Sequence, residues 1–440
     1  MKTIIEFSKS IYSRIGLQEY SEEKKYIPSI YIITEEIEGN ILIYNTLTRE
    51  MILLESDNEY VNNIRYLVRH WFLFDDSINP YSICFIVKKI YQQETRKRTI
   101  DKLRNYTIMT TTNCNARCEY CYEIGTRHQD MKESTATDVA KFIKRTNNGS
   151  VNIQWFGGEP LCNSRAIDVI SKSLKNEGIL YSSGITSNGY LFHEHSIEKI
   201  RELWHLERVQ ITLDGTEEVY NKSKNFIYSG NGSPYKKVMN NLEFLAMSGI
   251  SVSIRLNLSK DNIKNIHSLL ERLHSKFGHF KNVSVYSRPL VNVCNQLSET
   301  DENEIKDNYI AVEKQITNMG MRKTFPLSTV HNSYCIADNM KSVVITPEGN
   351  VGLCEHYSES ELIGDIYHDI FDYTTISKWH ELLDIPECKV CPIFPQCFII
   401  KKCPMGNCTK QRRIHLDFRI RDAMRNAYKK FTENAATGEK

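Results

Sequence analysis

The chain has 440 residues, 41% of them hydrophobic and 25% charged, the balance of an ordinary globular protein and, at about 150 residues per domain, roughly three domains. Lys plus Arg number 56 and Asp plus Glu 54, for a formal net charge of +2, which excludes a strongly basic nucleic-acid coat and an acidic disordered tail. Thirteen cysteines are too few for a small disulfide scaffold, so their spacing decides their meaning.

The opening residues MKTIIEFSKSIYSRIG interrupt every apolar run with charge, so no export signal forms. No stretch of about 18 apolar residues is present to span a bilayer. A cytoplasmic chain is expected, in which reduced cysteines serve metals or redox chemistry. Neither a nucleic-acid nor a membrane partner is expected.

Residues 1–100 read as a small α+β domain. Ser29–Ile33, Ile41–Tyr44 and Met51–Leu54 are expected strands, with a charged turn at Glu36–Asn40. Helices are expected at Tyr60–Phe72 and Ser82–Gln92. The basic run Thr95–Lys102 reads as a solvated linker.

From Tyr106 strands alternate with helices. The expected strands are Tyr106–Thr111, Val151–Phe156, Ile179–Thr186, Arg208–Leu213, Ser251–Asn257 and Val283–Ser287. Helices are expected between them, at Ser134–Arg145, His195–Trp204, Tyr235–Met247 and Asn262–Phe277. Alternation means parallel pairing through right-handed crossovers. Six such units over residues 101–310 predict an α/β fold, a partial (β/α)6 TIM-like barrel with its site at the carboxyl ends of the strands. Glu299–Thr317 reads as a polar helix or connector. Residues 325–410 are rich in Cys, Pro and Gly and lack periodicity, so they need a source of stability other than apolar packing, such as a metal. Residues 411–440 read as a basic amphipathic helix and tail.

The first expected barrel strand runs into TTNCNARCEYCYE. Cys114, Cys118 and Cys121 give C-x3-C-x2-C, three thiolates on one loop, able to hold three irons of a 4Fe–4S cube and leave the fourth open. Zinc would want a fourth ligand and a paired motif elsewhere. The second strand ends in Gly157-Gly158-Glu159-Pro160. Its glycines are expected to let the backbone approach a ligand closely. The third strand ends at Ser187-Asn188-Gly189 and the fourth at Leu213-Asp214-Gly215. On the fifth, Arg255 and Asn257 are two apart and share a face.

These motifs together resemble the radical S-adenosylmethionine (SAM) superfamily. The resemblance implies that Tyr120 lies near the adenine, that Glu159 accepts a hydrogen bond from the methionyl ammonium, and that Gly157, Gly158 and Pro160 shape that loop. It implies that Ser187 and Asn188 contact the ribose or carboxylate, and that Asp214 and Arg255 complete the SAM site. Many relatives carry an Arg for the methionyl carboxylate after the Asp-Gly turn. Here Lys224 stands there, which supplies charge but no bidentate fork. The implied chemistry is one-electron cleavage of the sulfonium to a 5′-deoxyadenosyl radical, which abstracts hydrogen from an unactivated C–H. The cofactor does the hard chemistry and the protein supplies position and exclusion of water.

Downstream, Cys335 is followed by Cys354, then Cys388-x2-Cys391-x5-Cys397-x5-Cys403-x4-Cys408. This order resembles the SPASM extension of the same superfamily, which implies two auxiliary 4Fe–4S clusters and so three 4Fe–4S clusters in all. By that resemblance Cys335, Cys354 and Cys403 ligate the first, and Cys388, Cys391, Cys397 and Cys408 the second. The gap from Cys397 to Cys403 is longer than the common one. The remaining cysteines are Cys84, Cys162 and Cys294. The first auxiliary cluster thus has three motif ligands; either another residue, Cys294 among the candidates, completes it, or one iron stays open to a substrate thiolate. Cys162 reads as a small buried hydrophobe.

SPASM relatives mostly modify peptides. The N-terminal unit, with its Tyr44-Asn45-Thr46-Leu47-Thr48 turn, resembles a recognition element for ribosomally synthesised, post-translationally modified peptides (RiPPs), which adds a leader segment as an edge strand. The alternative is a domain that only caps the barrel. The expected activity is a RiPP maturase that installs a crosslink in a precursor peptide, a thioether favoured, with flavodoxin or ferredoxin as electron donor. Carbon–carbon crosslinking, epimerisation and formylglycine formation on sulfatases are the alternatives within enzymes. A scaffold whose clusters only carry electrons is the alternative outside them. No catalytic proton acceptor is identifiable.

Overall fold

The computed structural model describes residues 1–440 except 7–14, 57, 97–102, 228–231, 260–261, 291–298, 323–326, 328–334, 338–340, 357–358, 369, 398–400, 404–407, 409 and 438–440. Cys294 and most of the basic run at 95–102 fall outside the described residues. The chain divides into two compact units. One comprises Met1–Lys97, Thr324–Tyr334 and His380–Lys440, and the other Arg98–Lys323 and Cys335–Trp379. The cysteine-rich stretch, read from sequence as one domain, is therefore shared: Cys335 and Cys354 go with one unit and the five later cysteines with the other.

The first unit holds an antiparallel sheet of β1 (Lys2–Ile5), β3 (Ile32–Ile37), β4 (Asn40–Asn45) and β5 (Glu50–Leu54), in the order β1-β5-β4-β3. It also holds a two-stranded pair, β2 (Tyr26–Pro28) with β6 (Leu73–Asp75). The charged turn expected at Glu36–Asn40 is tighter than that: Ile37 pairs with Asn40, and Glu38 and Gly39 both take positive φ, 54° and 78°. Two such residues match the right-handed twist of the flanking strands. The single helix expected at Tyr60–Phe72 is two, Asn58–Asn62 and Ile64–Arg69. Asn63 leaves the helical region between them (φ −110°, ψ 19°), and Trp71 at φ 61° turns the chain toward β6. The helix Lys410–Thr437 lays Leu416, Ile420, Ala423, Met424 and Tyr428 against Ile33, Leu42, Tyr44, Met51 and Leu53. These spacings of three to four residues are one helical face.

The second unit is built on a nine-stranded sheet. Six strands, β7 (Leu103–Thr111), β8 (Asn147–Gly157), β9 (Tyr181–Ser187), β10 (Leu206–Thr212), β11 (Ser251–Leu258) and β12 (Val283–Pro289), pair in chain order and in parallel. Each crossover carries a helix whose apolar stripe faces the sheet. Ser164–Asn176, for example, buries Ala166, Ile167, Ile170 and Leu174. Pro234–Met247 starts with Pro at its first turn and Ser233 as a cap accepting from the Lys236 N–H, the favoured chemistry of a helix start. The helix expected at His195–Trp204 instead contains a π turn, Lys199–Leu203. Beyond β7 the sheet continues with β13 (Ser342–Ile345), parallel to β7, and then the antiparallel β14 (Asn350–Gly352) and β15 (Gly364–Asp365). Because β7 to β12 run the same way, their carboxyl ends gather the loops at one end of the sheet. Among the described residues no helix is long and apolar enough to cross a membrane.

Candidate functional site

The loop after β7 carries Cys114, Cys118 and Cys121. Asn113 Oδ1 accepts from the Cys114 N–H (2.9 Å), and the Cys121 N–H donates to the Cys118 carbonyl (3.1 Å). The Arg117 N–H reaches the carbonyls of Lys224 and Asn225 at 2.9 and 3.1 Å, which ties the loop to the end of the helix Glu217–Lys224. Asn225 stops that helix in the left-handed conformation, φ 44°. Burial pushes the Cys114 thiol up to about 12 and raises Cys121 as well.

The two glycines after β8 answer to a different constraint from the one expected. A Cβ on Gly157, at φ +131°, would lie 2.1 Å from the Thr111 carbonyl oxygen, and one on Gly158 would lie 2.4 Å from that of Asn113. Their N–H partners are on the same segment: Gly158 N donates to Thr111 O (3.0 Å) and Glu159 N to Asn113 O (2.9 Å). The glycines are required by the close approach of this loop to the cysteine loop itself. Pro160 opens a short 3-10 turn, for which its fixed φ suits it.

Glu159 is fully buried. Its carboxylate accepts from the Asn188 N–H (2.7 Å), the Ser187 hydroxyl (2.9 Å) and the Leu161 N–H (3.2 Å). Burial pushes its pKa up to about 7, against the pull of those donors. It pins the end of β9 to the end of β8. From β9, Asn188 extends its amide to Asn115 Oδ1 at 2.6 Å and lies 3.9 Å from the Cys114 sulfur.

The ends of β10 and β11 supply a second polar group. Lys224, 3% exposed, pairs with Asp214, 1% exposed, at 2.9 Å. Its ammonium also donates to the Tyr120 hydroxyl (2.6 Å) and to Thr212 Oγ1 (3.1 Å), while the Tyr120 hydroxyl donates to Asp214. Burial works against the Lys224 charge, but Asp214 and its neighbours hold its pKa well above the ordinary lysine value. Asn257 Nδ2 donates to the Tyr120 hydroxyl at 3.3 Å, and Arg255 Nε to Asn257 Oδ1 at 2.9 Å. Tyr120, Asp214, Lys224, Arg255 and Asn257 therefore form one connected network, and Glu159, Ser187 and Asn188 another. Lys224 spends its charge inside the protein, on Asp214.

Among the described residues, two atoms in these networks are buried and have no hydrogen-bond partner, Asn115 Nδ2 and Asp214 Oδ1. Buried polar atoms are normally paired. One donor and one acceptor left over beside the cysteine loop fit a polar ligand, and three cysteines on one loop fit a thiolate-bound iron site. Asn115, Thr212, Asn262 and Tyr220 were not singled out from sequence. Asn262 donates to the carbonyls of Asp214 (2.9 Å) and Asn257 (2.6 Å). Only Asn115, lying between the first two cysteines, had a signal that reading could have used.

The radical SAM superfamily model matches residues 108–273, which spans the cysteine loop and the carboxyl ends of β7 to β11. Residues 108–273 are thus a radical SAM superfamily domain. That family binds a 4Fe–4S cluster and S-adenosylmethionine. The chain is 22% identical over 279 residues to the antilisterial bacteriocin subtilosin biosynthesis protein AlbA of Bacillus subtilis, covering 60% of the chain and 58% of AlbA. It is 24% identical over 281 residues to the probable GTP 3',8-cyclase of Methanococcus aeolicus, covering 62% of the chain and 85% of that protein. The solved structure of anSMEcpe with bound AdoMet and the Kp18Cys peptide matches with a TM-score of 0.55 and 14% identity, over 75% of this chain and 99% of that one. This last likeness is one of fold.

In the other unit, Cys388, Cys391, Cys397 and Cys408 line one small pocket together with Leu383, Glu387, Phe394 and Arg413. Cys388 and Cys391 close successive short turns, with Cys391 N donating to Cys388 O at 3.3 Å. The four cysteines expected to ligate the second auxiliary cluster thus line one pocket, although among the described residues no group of three or more His, Cys, Asp or Glu side chains is placed to hold a single metal ion. Cys354 is buried just beyond β14, Cys335 is exposed, and Cys403 belongs to the other unit. Cys84 is fully buried with Tyr31, Trp71, Phe74, Cys388 and Phe394. Cys162 is half-buried, and burial pushes its thiol up to about 12.

Proposed function

We propose that the chain matures a ribosomally synthesised precursor peptide, installing a crosslink for which a thioether between a cysteine sulfur and a carbon is favoured. The observation that carries the peptide reading is the likeness over 279 residues to a protein named for bacteriocin biosynthesis. When bound at Cys114, Cys118 and Cys121, a reduced 4Fe–4S cluster with S-adenosylmethionine supplies the radical that removes hydrogen from carbon. The residues of the chain do the rest. Glu159, Ser187 and Asn188 fix the loops that face the cysteine loop, and the Asp214–Lys224 pair and Tyr120 fix the opposite side. The spare Asn115 donor and Asp214 acceptor would hold polar groups of S-adenosylmethionine, with Arg255 and Asn257 beside them.

The SPASM reading belongs to the same proposal. Cys388, Cys391, Cys397 and Cys408 would hold one auxiliary cluster, and Cys335, Cys354 and Cys403 the other, with flavodoxin or ferredoxin as electron donor in the cytoplasm. Residues 1–100 would bind a leader peptide by strand addition.

The test is anaerobic incubation with the peptide encoded beside this gene, followed by mass spectrometry. Loss of two hydrogens per event is expected for a crosslink. Deuterium gained from solvent without other mass change would replace the crosslink with epimerisation. Turnover of GTP in the absence of peptide would replace the reading altogether, a second possibility favoured by the 281-residue likeness to a GTP 3',8-cyclase.

A further inference from the structure

One face of the parallel strands is polar. Successive side chains along a strand alternate between faces. Asn152 and Gln154 on β8, Thr186 on β9, Gln210 on β10, Arg255 on β11 and Tyr286 on β12 are half-buried, while the apolar residues between them, such as Ile153, Ile211, Ile254 and Val285, are fully buried. Gln154 Nε2 donates to Thr186 Oγ1 at 3.2 Å, and the Tyr286 hydroxyl donates to Gln210 Oε1 at 2.6 Å. β10 and β12 flank β11. Gln210 is level with Ser253, and Tyr286 with Arg255, so this link crosses β11 on the amino-terminal side of Arg255. It is a floor. A group entering from the carboxyl ends of the strands, where the cysteine loop lies, meets Arg255 before it reaches the bar.

The same face lacks negative charge. Glu207, at the amino end of β10, is the one acidic residue within β7 to β12, and it lies 3.4 Å from Arg208. Asp214, just beyond β10, is taken by Lys224 at 2.9 Å. Among the described residues the partners of Arg255 are neutral: Asn257 Oδ1 at 2.9 Å, and Tyr286 level with it on β12. Arg255 is joined to Tyr120 through Asn257, one step removed from the side of the network assigned to S-adenosylmethionine. A guanidinium offers a planar fork of donors that matches a carboxylate. Partial burial strengthens such a pair relative to one in water.

We propose that Arg255 is a specificity-determining residue that binds a carboxylate side chain, Asp or Glu, in the modified segment of the precursor peptide, with the Tyr286–Gln210 link as the floor beneath it. The inference rests on the peptide-maturase reading and names a feature of the peptide which that reading leaves open.

The test uses the full chain, reconstituted anaerobically with iron and sulfide, and the peptide encoded beside this gene. Each Asp and Glu of the peptide is replaced in turn by Asn or Gln. Rates at sub-saturating peptide are read by mass spectrometry for the unaltered enzyme, Arg255→Gln and Arg255→Lys. One replacement in the peptide is expected to slow the unaltered enzyme roughly 30-fold, as loss of one partner of a charge pair does. Arg255→Gln should lose a similar factor on the unaltered peptide and nothing further on the replaced one, and Arg255→Lys should recover part of the rate. Losses that multiply overturn the role of Arg255 while the maturase reading stands. A peptide series that the unaltered enzyme does not discriminate does the same, and it needs no variant enzyme to fold. Weaker S-adenosylmethionine binding by Arg255→Gln in equilibrium dialysis, with peptide preference unchanged, assigns the guanidinium to the methionyl carboxylate and also overturns the proposal. An unaltered enzyme that leaves the peptide unmodified overturns the maturase reading and the role of Arg255 with it.

Discussion

The two cysteine groups are held by opposite means. Cys114, Cys118 and Cys121 sit on a loop fixed almost entirely by polar contacts: backbone bonds to Gly158 and Glu159, the Arg117 link to Lys224 and Asn225, and the two side-chain networks beside it. The later group is fixed by packing. Cys388 is buried with Tyr31, Leu47, Trp71, Phe74 and Phe394 in one apolar cluster. Gln396 follows at once, donating to the Tyr44 hydroxyl at 2.6 Å and the Thr46 carbonyl at 3.0 Å. A polar cradle leaves unpaired donors and acceptors for a ligand that must come and go. A packed one suits a permanent group that needs no access.

The sharpest break in this comparison is removal of the first group. Cys114→Ala, Cys118→Ala and Cys121→Ala together should abolish 5′-deoxyadenosine formation, measured by chromatography with reductant and S-adenosylmethionine. They should leave the packed group folded and retain whatever iron the proposed auxiliary sites take up; loss of all iron would show that the two groups depend on one another. Next comes Phe394→Ala. Emptying that buried ring site should cost about 4 kcal/mol, read by urea denaturation of the iron-free chain. A cost below about 1 kcal/mol would mean that the second group is not held by packing.

Lys224→Met leaves Asp214 buried without its cation, at a cost of about 3 kcal/mol. The same denaturation series would record it, and retention of full stability would contradict the polar account of the first group. The smallest effect is one of slope. Glu159 has a folded-state pKa pushed up to about 7 against an ordinary 4.5, so the folded chain binds a proton there that the unfolded chain has already released. Its contribution is fully present below about 4.5, declines as pH rises to about 7, and is level above that. Glu159→Gln should flatten this fall in iron-free protein, and an unaltered pH profile would assign the slope to other groups.

The parallel sheet was legible because its strands are apolar runs bounded by helices of clear periodicity, and because each motif ended a strand. The network around Tyr120, Asp214 and Lys224 was legible only as separate motifs. Nothing in a sequence says that Lys224 turns its charge on Asp214, since that depends on how far apart β10 and the following helix place them. Gly157 and Gly158 were expected to let the backbone approach a ligand closely, whereas the structure brings the backbone of Thr111 and Asn113 against them, which a linear reading places more than forty residues away. The pairing of β1 with β5 and the packing of Lys410–Thr437 on that sheet join the two ends of the chain. Such long-range contacts leave no local periodicity to read.

The continuation of the sheet past β7 has a mechanical consequence. β13 pairs with β7 in register, Ile345 beside Ile108, and β14 pairs with β13. The Cys114 loop follows β7 and Cys354 follows β14, so both are anchored to the same ladder of backbone hydrogen bonds. Adjacent strands are spaced at about 4.8 Å. β14 runs antiparallel to β7, with Gly352 level with Val344 and so with Thr107. The separation between those two anchor points is thus set by two strand spacings together with the run of β7 from Thr107 to Thr111, lengths that loop motion leaves unchanged.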